Sequence, residues 1–157
     1  NIDYDLIVKS SRGSVSRGMN YISENTSSIS HEQNFIDCLR FAFLAKTSKK
    51  AVLDLKKWSE KISSNSRIQQ KEFLSFCSYL IREAMLVSYK SENLTSFISS
   101  SDFKIDKLSP FIHSQNLIEI IELIEDSHYS ISRNANSKIV FTSFAIKMTK
   151  LINRSED

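Results

Sequence analysis

The sequence predicts an all-α fold, a helical bundle of about five main helices. Its 157 residues include only two glycines and one proline, and tight β-turns use both residue types often. Apolar residues recur at steps of three and four along most of the chain, which is the period of an amphipathic helix. A hydrophobic content of 41% with 25% charged residues is typical of a globular domain and argues against wholesale disorder.

The N-terminal residues predict a smaller unit before the main domain. Residues 1–22 contain two short apolar groups separated by small polar residues. We interpret them as two short helical pieces from the edge of a preceding domain, with Ser14 capping the second piece. Residues 23–30 are rich in Ser, Thr and Asn without apolar periodicity, so we expect a linker there. The main helical domain would then cover residues 31–157, and a start at Asn1 rather than Met is compatible with an excised fragment.

Three helices are predicted in the first half of the main domain. The first covers about 31–45 and starts at Ser30 and Gln33, a pair close to a capping box. The second covers about 49–63, and the third, about 66–89, is the longest and is expected to be central. Their predicted buried stripes are Phe35, Leu39, Ala42 and Phe43, then Val52, Leu55, Trp58 and Ile62, then Phe73, Phe76, Cys77, Leu80, Ile81 and Ala84. We expect Cys38 and Cys77 to be buried free thiols, although sequence alone leaves a disulfide open.

The second half of the domain predicts an irregular segment followed by two helices. Residues 94–111 contain the only proline and seven large apolar residues, so we expect this segment to pack onto the bundle. Two amphipathic patterns follow, with Asn134 or Asn136 as the N-cap of the last helix. Their predicted stripes are Leu117, Ile121, Ile124, His128 and Ile131, then Phe141, Phe144, Ala145, Met148, Leu151 and Ile152.

Motifs for catalysis and cofactor binding are missing from the sequence. It contains no phosphate-binding glycine loop, no dinucleotide fingerprint, no zinc-protease motif and no paired CxxC. The three histidines, His31, His113 and His128, are far apart in sequence. An acidic run on the fourth helix is better explained as a solvated face than as an acid/base site; it contains Glu119, Glu122, Glu125 and Asp126. We therefore expect no enzyme activity, no cofactor, no metal and no small-molecule substrate.

The charge distribution is mildly basic. A formal net charge of +3 is far below what nucleic-acid binding usually requires. The densest basic region is Lys46, Lys49, Lys50, Lys56, Lys57 and Lys61. A phosphate-contacting patch is one interpretation of this region, but Asp54 and Glu60 interleave with it and no aromatic residue offers a stacking platform, so a solvated face is favoured. No apolar run reaches the roughly 18 residues of a membrane span, and we expect a cytoplasmic protein without membrane contact.

Several sequence blocks resemble a known family. Gly13, Ser14 and Arg17 lie in a Gly-Ser-x-x-Arg segment similar to the sensor-2 region of the AAA+ lid in clamp-loader subunits. Five further blocks are similar to the delta-prime family of the bacterial DNA polymerase III clamp loader, as found in Bacteroidetes-type bacteria. These blocks are Trp58–Lys61, Lys71–Phe76, Leu80–Ala84, Pro110–His113 and Ser132–Phe141.

The resemblance implies a scaffold. Residues 1–22 would be the end of an AAA+ lid domain, residues 23–30 a linker, and residues 31–157 a C-terminal collar domain. In that family the collar domains hold a pentameric loader together for sliding-clamp loading in DNA replication. The implied partners are the gamma/tau and delta type subunits, and DNA would be contacted only indirectly. The fragment would not be an enzyme, although its parent complex belongs to a nucleotidyltransferase holoenzyme.

Four apolar residues lie beside the main stripes and are candidate interface residues: Phe41, Ile118, Ile120 and Ile139. Such residues are candidates for a surface buried only in a complex. A heterologous ring needs two different contact faces on each subunit, so we expect these residues to divide into two patches. Two alternatives remain open, a stand-alone helical adaptor for protein partners and a weakly basic DNA-binding bundle.

Overall fold

The computed structural model describes residues 15–88 and 104–154, and this part of the chain is entirely helical. It contains five α-helices and two one-turn 3₁₀ helices, and the described residues form no strand. The α-helices are α1 (Val15–Leu44), α2 (Lys49–Ser63), α3 (Arg67–Ser88), α4 (Leu117–Ser132) and α5 (Ser137–Ile152), and the 3₁₀ helices are Ile105–Lys107 and Ser109–Phe111. The expectation of an all-α bundle is confirmed.

The five helices pack in two layers. In one layer α5 lies between α2 and α4 and contacts both of them. In the other layer α1 contacts α2, α3 and α5, while α3 contacts α1, α4 and both 3₁₀ helices. Helix α3 was expected to be the longest and central, but α1 with 30 residues is longer than α3 with 22. Helices α1 and α5 each contact three other α-helices, so α3 is not the single central helix. Because α5 separates them, α2 and α4 lie at opposite edges of their layer.

The predicted linker is helical in the structure. Helix α1 runs without interruption over 30 residues, Val15–Leu44, so the expected irregular segment at 23–30 and the expected helix start at Ser30 were both wrong. Ser, Thr and Asn cost only a fraction of a kcal/mol each in a helix, and no glycine or proline lies between residues 19 and 44. Extension of an established helix is therefore favourable there. Residues 1–14, including Ser14, lie outside the described residues, and the assignment of residues 1–22 to another domain stays a prediction.

An aromatic cluster around Trp58 forms the centre of the core. The Trp58 ring centroid lies 6.0 Å from that of Phe73 on α3 and 6.0 Å from that of Phe144 on α5. Phe35 on α1 meets Phe73 edge-on at 6.4 Å. The indole Nε1 of Trp58 donates a hydrogen bond of 2.7 Å to the backbone oxygen of Asn34. Four helices therefore meet at one side chain, and the expectation that Trp58 is a core residue is confirmed.

The predicted stripes of α3 and α5 largely coincide with the buried residues. All six predicted positions of α5 are buried, and so are all those of α3 except Phe76, which is partly buried against the core. Cys38 and Cys77 are buried free thiols, as expected.

Two predicted core residues are exposed instead. Val52 is 50% exposed, because α2 turns Ala51 rather than Val52 toward the core. Phe43 is 47% exposed near the end of α1, where its ring meets Phe111 edge-on at 5.1 Å.

The buried stripe of α4 is rotated from the prediction. Ile124 and Ile131 are buried as expected, but Leu117, Ile121 and His128 are only partly buried. The remaining buried positions of α4 are Ile120, Leu123 and Ser127. Helix α4 packs against α3 on one side and α5 on the other, and its first turns are apolar on both sides. Its neighbours, rather than its own pattern, therefore select which side is buried.

The turn between α4 and α5 is fixed by asparagine chemistry. The Asn136 side-chain oxygen accepts hydrogen bonds from the backbone nitrogens of Lys138 at 3.0 Å and Ile139 at 3.3 Å, so Asn136 is the N-cap. Asn134 adopts the left-handed conformation, with φ of 63°, which asparagine tolerates better than most residues. The guanidinium of Arg67 on α3 donates to the backbone oxygens of Asn134 and Ala135. This turn is therefore tied to the neighbouring helix.

The segment predicted at 94–111 packs onto the bundle in its described part, residues 104–111, and residues 112–116 connect it to α4. Leu108 and Ile112 are buried in the core. The fully buried Asn116 amide donates to the backbone oxygens of Phe111 at 2.9 Å and Leu151 at 3.1 Å. Its oxygen accepts from the backbone nitrogen of His113 at 3.0 Å. Residues 89–103 lie outside the described residues.

Replacement of Trp58 by Ala should destabilise the domain strongly. The change removes a buried ring that three aromatic neighbours contact, and truncations of this kind cost about 3–5 kcal/mol. The midpoint of urea unfolding measures the loss. Tyr129→Ala, which truncates an exposed aromatic residue, should change the free energy of unfolding by less than about 1 kcal/mol. Equal midpoints for Trp58→Ala and the wild type would contradict the central role of this cluster.

Candidate interaction surfaces

Charge is segregated between the helices of one layer. Helices α2 and α5 contain eight lysines and only two carboxylates, whereas α4 contains four carboxylates and neither lysine nor arginine. All eight lysines and all four carboxylates of α4 are exposed. The prediction that the acidic run of α4 and the lysines of α2 are solvated is confirmed.

The outer side of α2 and α5 combines lysines with exposed aliphatic residues. On α2 these residues follow helical spacing from Lys49, and on α5 they follow it from Ile139. We call this surface the basic face, and its residues are Lys49, Val52, Leu53, Lys56 and Glu60 of α2 with Lys138, Ile139, Ile146 and Lys150 of α5. The Nζ atom of Lys138 lies 4.0 Å from Oε1 of Glu60, which joins the two helices. Each of the four aliphatic residues is at least half exposed.

The outer side of α4 has the opposite charge. We call this surface the acidic face, and its residues are Ile118, Glu122, Glu125 and Tyr129, spaced four, three and four apart. Ile118 and Tyr129 are among the exposed large hydrophobic residues of the described chain. Arg133 borders the far end, with its guanidinium carbon 5.4 Å from the Tyr129 ring centroid.

Glu119 is excluded from the acidic face because it is already paired. Nη2 of Arg154 donates to its Oε2 at 3.0 Å, and Nη1 donates to Oε1. Hydrogen bonding from Arg154 lowers the pKa of the Glu119 carboxyl below its usual value. Lys147 and Lys150 of α5 border Glu122 and Asp126 across a groove of about 300 Å³. Glu122 therefore lies on the side of the acidic face next to α5, and Glu125 lies on the side next to α3.

The structure separates the four residues proposed as an interface. Ile118 is 66% exposed on α4 and Ile139 is 69% exposed on α5, so they belong to different faces. Ile120 is completely buried in the core, and its proposed place on a surface is wrong because α4 is rotated. Phe41 is partly buried against the core and lines a groove of about 360 Å³ between α1 and α2.

The sensor-2-like segment lies at the edge of the described chain. Gly13 and Ser14 fall outside the described residues, and the described α1 begins at Val15. Arg17 lies in the first turn of α1, and its side chain is outside what the structure describes. The role that the resemblance gives to these three residues stays a prediction.

Four exposed residues of the two faces were not anticipated from the sequence: Val52, Leu53, Ile146 and Tyr129. Val52 was assigned to the core because Val52 and Ala51 are both apolar, and helical spacing alone does not choose between adjacent positions. Ile146 lies seven residues after Ile139, on the same side of α5. That spacing was the available signal for a second apolar stripe.

A groove near the end of α5 contains polar groups but no reactive centre. It measures about 480 Å³ and is lined by Phe43, Lys46, Thr47, Pro110, Phe111, His113, Ile152, Asn153 and Arg154. Nε2 of His113 lies 3.3 Å from the backbone oxygen of Arg154, and its Nδ1 is buried without a hydrogen-bond partner. Neither cysteine of the chain lines this groove.

Both cysteines of the chain are buried free thiols. Burial raises the pKa of the Cys38 and Cys77 thiols, so both stay protonated at neutral pH and are poor nucleophiles. Among the described residues, no three His, Cys, Asp or Glu side chains lie close enough to hold a metal ion. None of the described helices combines the length and apolar character of a membrane span.

Comparisons of the chain with protein-family models, with curated proteins and with solved structures found no match.

His31 should make stability depend on pH. Burial lowers the pKa of His31 below its ordinary value of 6.5, against a smaller opposing effect of Glu72, and Nε2 is buried without a partner. The unfolded chain therefore binds a proton more readily, so the free energy of unfolding should fall as the pH falls below about 6.5. The urea midpoint measured from about pH 7.5 to about pH 5.5 should decrease less in His31→Gln than in the wild type. Equal decreases would contradict this assignment.

Proposed function

We propose that this chain is a non-catalytic assembly domain whose outer helical faces bind other protein subunits. The observation that carries the proposal is the position of Ile118 and Ile139. Both are exposed isoleucines on separate helices, and the core beneath them is complete without them. Exposed aliphatic residues bordered by charged residues are typical of surfaces that a partner covers.

The sequence blocks that resemble the delta-prime family suggest which subunits these are. We propose the collar of a bacterial DNA polymerase III clamp loader in the cytoplasm, with gamma/tau and delta type subunits as partners. The all-helical bundle is compatible with a collar domain, and two separate faces are what a ring of non-identical subunits requires. In this proposal the domain contacts DNA only indirectly and binds no small-molecule substrate.

The assembly proposal is tested by replacing one exposed residue on each face. Ile118→Glu and Ile139→Glu should each reduce co-purification of the co-expressed gamma/tau and delta subunits at least tenfold, because each places a charge in a desolvated contact. Ile68→Glu is the matched control, since Ile68 is also 66% exposed but lies on α3, outside both faces. Circular dichroism should give unchanged helix content and melting temperature for all three variants.

Two outcomes would contradict the proposal. If neither face variant reduces co-purification, these faces are not the interface. If the wild-type chain fails to co-purify with the loader subunits at all, the clamp-loader assignment is wrong, and a search for other protein partners tests the adaptor alternative. Phe41 is partly buried against the core, so a charge at this position would change stability as well as binding.

The purified chain should show no ATP hydrolysis above a buffer blank. The sequence has no phosphate-binding loop. A coupled assay for inorganic phosphate measures this directly. Turnover that follows the protein through a final purification step would contradict the non-catalytic proposal.

A further inference from the structure

The basic and acidic faces match each other in chemistry. The basic face carries Lys49, Lys56, Lys138 and Lys150 around four aliphatic residues, with Glu60 as its one carboxylate. The acidic face carries Glu122 and Glu125 between two apolar residues. Opposed charges around apolar contacts favour association and fix its register. Two copies of the same chain therefore offer complementary surfaces to one another.

The positions of the two faces allow both to be used at once. Helix α5 lies between α2 and α4, so the acidic face on α4 is separated from the α2 half of the basic face. Lys150 on the α5 half borders Glu122 across one groove, so the contact between copies uses the α2 side of the basic face and the Glu125 side of the acidic face. A contact between the acidic face of one copy and the basic face of another is heterologous. One copy keeps its basic face free and the other keeps its acidic face free. Such a contact adds copies head to tail instead of stopping at a symmetric dimer.

From this complementarity we infer that the chain associates head to tail with a second copy of itself, through α4 of one molecule and the α2/α5 surface of the next. The inference goes beyond the proposed function, because it requires only this chain and no loader subunit. Success or failure of self-association is therefore measured separately from co-purification with gamma/tau and delta subunits.

Other occupants of the basic face fit its residues less well. Helices that lie on membrane surfaces often insert Trp or Phe next to their basic residues, and the basic face has bulky aliphatic residues but no aromatic residue. Single-stranded nucleic acid binds where bases stack on aromatic rings or arginine planes, and the basic face has neither. A helical protein surface with carboxylates and apolar side chains is the better match.

The expected contact is small and depends on salt. Helices of 15 and 16 residues are each about 23 Å long. Two such helices side by side present about half of the area that one partner buries in a standard interface. Its exposed lysines and carboxylates are screened at high ionic strength. We therefore expect a weak equilibrium that shifts toward larger species as concentration rises and toward monomers as salt is added.

Sedimentation velocity of the complete 157-residue chain tests the inference. At about 50 mM salt the mean sedimentation coefficient should increase with concentration, and at about 500 mM salt it should return to that of the monomer. Lys56→Glu on the basic face and Glu125→Lys on the acidic face should each abolish the concentration dependence. Lys107→Glu is the matched control, because Lys107 is exposed outside both faces and its reversal should leave association unchanged.

A mixture of the two variants distinguishes head-to-tail association from a symmetric contact. Lys56→Glu keeps an intact acidic face and Glu125→Lys keeps an intact basic face, so an equimolar mixture should form dimers although neither variant associates alone. A symmetric contact that uses the same face on both copies would give no such recovery.

Three results would overturn the inference: a monomer at every concentration in low salt, association insensitive to both reversals, or no recovery in the mixture. Lys56-dependent binding of anionic vesicles or of DNA by a chain that stays monomeric would also overturn it. Circular dichroism of each variant excludes unfolding as the cause.

Discussion

The convergence of four helices on Trp58 is the constraint on which the rest of the structure depends. The indole contacts Phe73 of α3 and Phe144 of α5, and its nitrogen binds the backbone of α1 at Asn34. A large aromatic ring contributes both buried area and a directional hydrogen bond. It therefore sets the distance and the rotation of α2 against three neighbours. That rotation turns Ala51 inward and leaves Val52 at the surface.

Because the core is completed by residues on one side of each helix, the outer sides are free to differ in charge. Helix α5 illustrates this separation. Its six buried residues are all apolar, while Ile139, Ile146 and Lys150 lie on the outside. The same bundle can then present a basic face at one edge and an acidic face at the other.

Sequence patterns were informative where a helix has one clear apolar side. The bounds of α2 and the buried stripe of α5 were predicted correctly. The sequence offered Asn134 or Asn136 as the N-cap of α5, and the structure selects Asn136. Sequence patterns were uninformative where apolar residues surround the helix or where the polar residues are small. Helix α4 begins with apolar residues on two sides, so its spacing could not exclude Ile120 from the surface. The Ser, Thr and Asn residues at 23–30 indicate a linker by composition, yet their helix propensities permit the helix that α1 forms.

The sequence by itself determined the helical class, most of the core composition and the separation of lysines from carboxylates among helices, because these depend on residue type and local spacing. Only the tertiary structure decided which apolar residues remain at the surface and which helices share a face. The position of α5 between α2 and α4 and the rotation of each helix follow from contacts between residues distant in sequence, such as Trp58 with Phe144. Periodicity within one helix contains no information about such contacts.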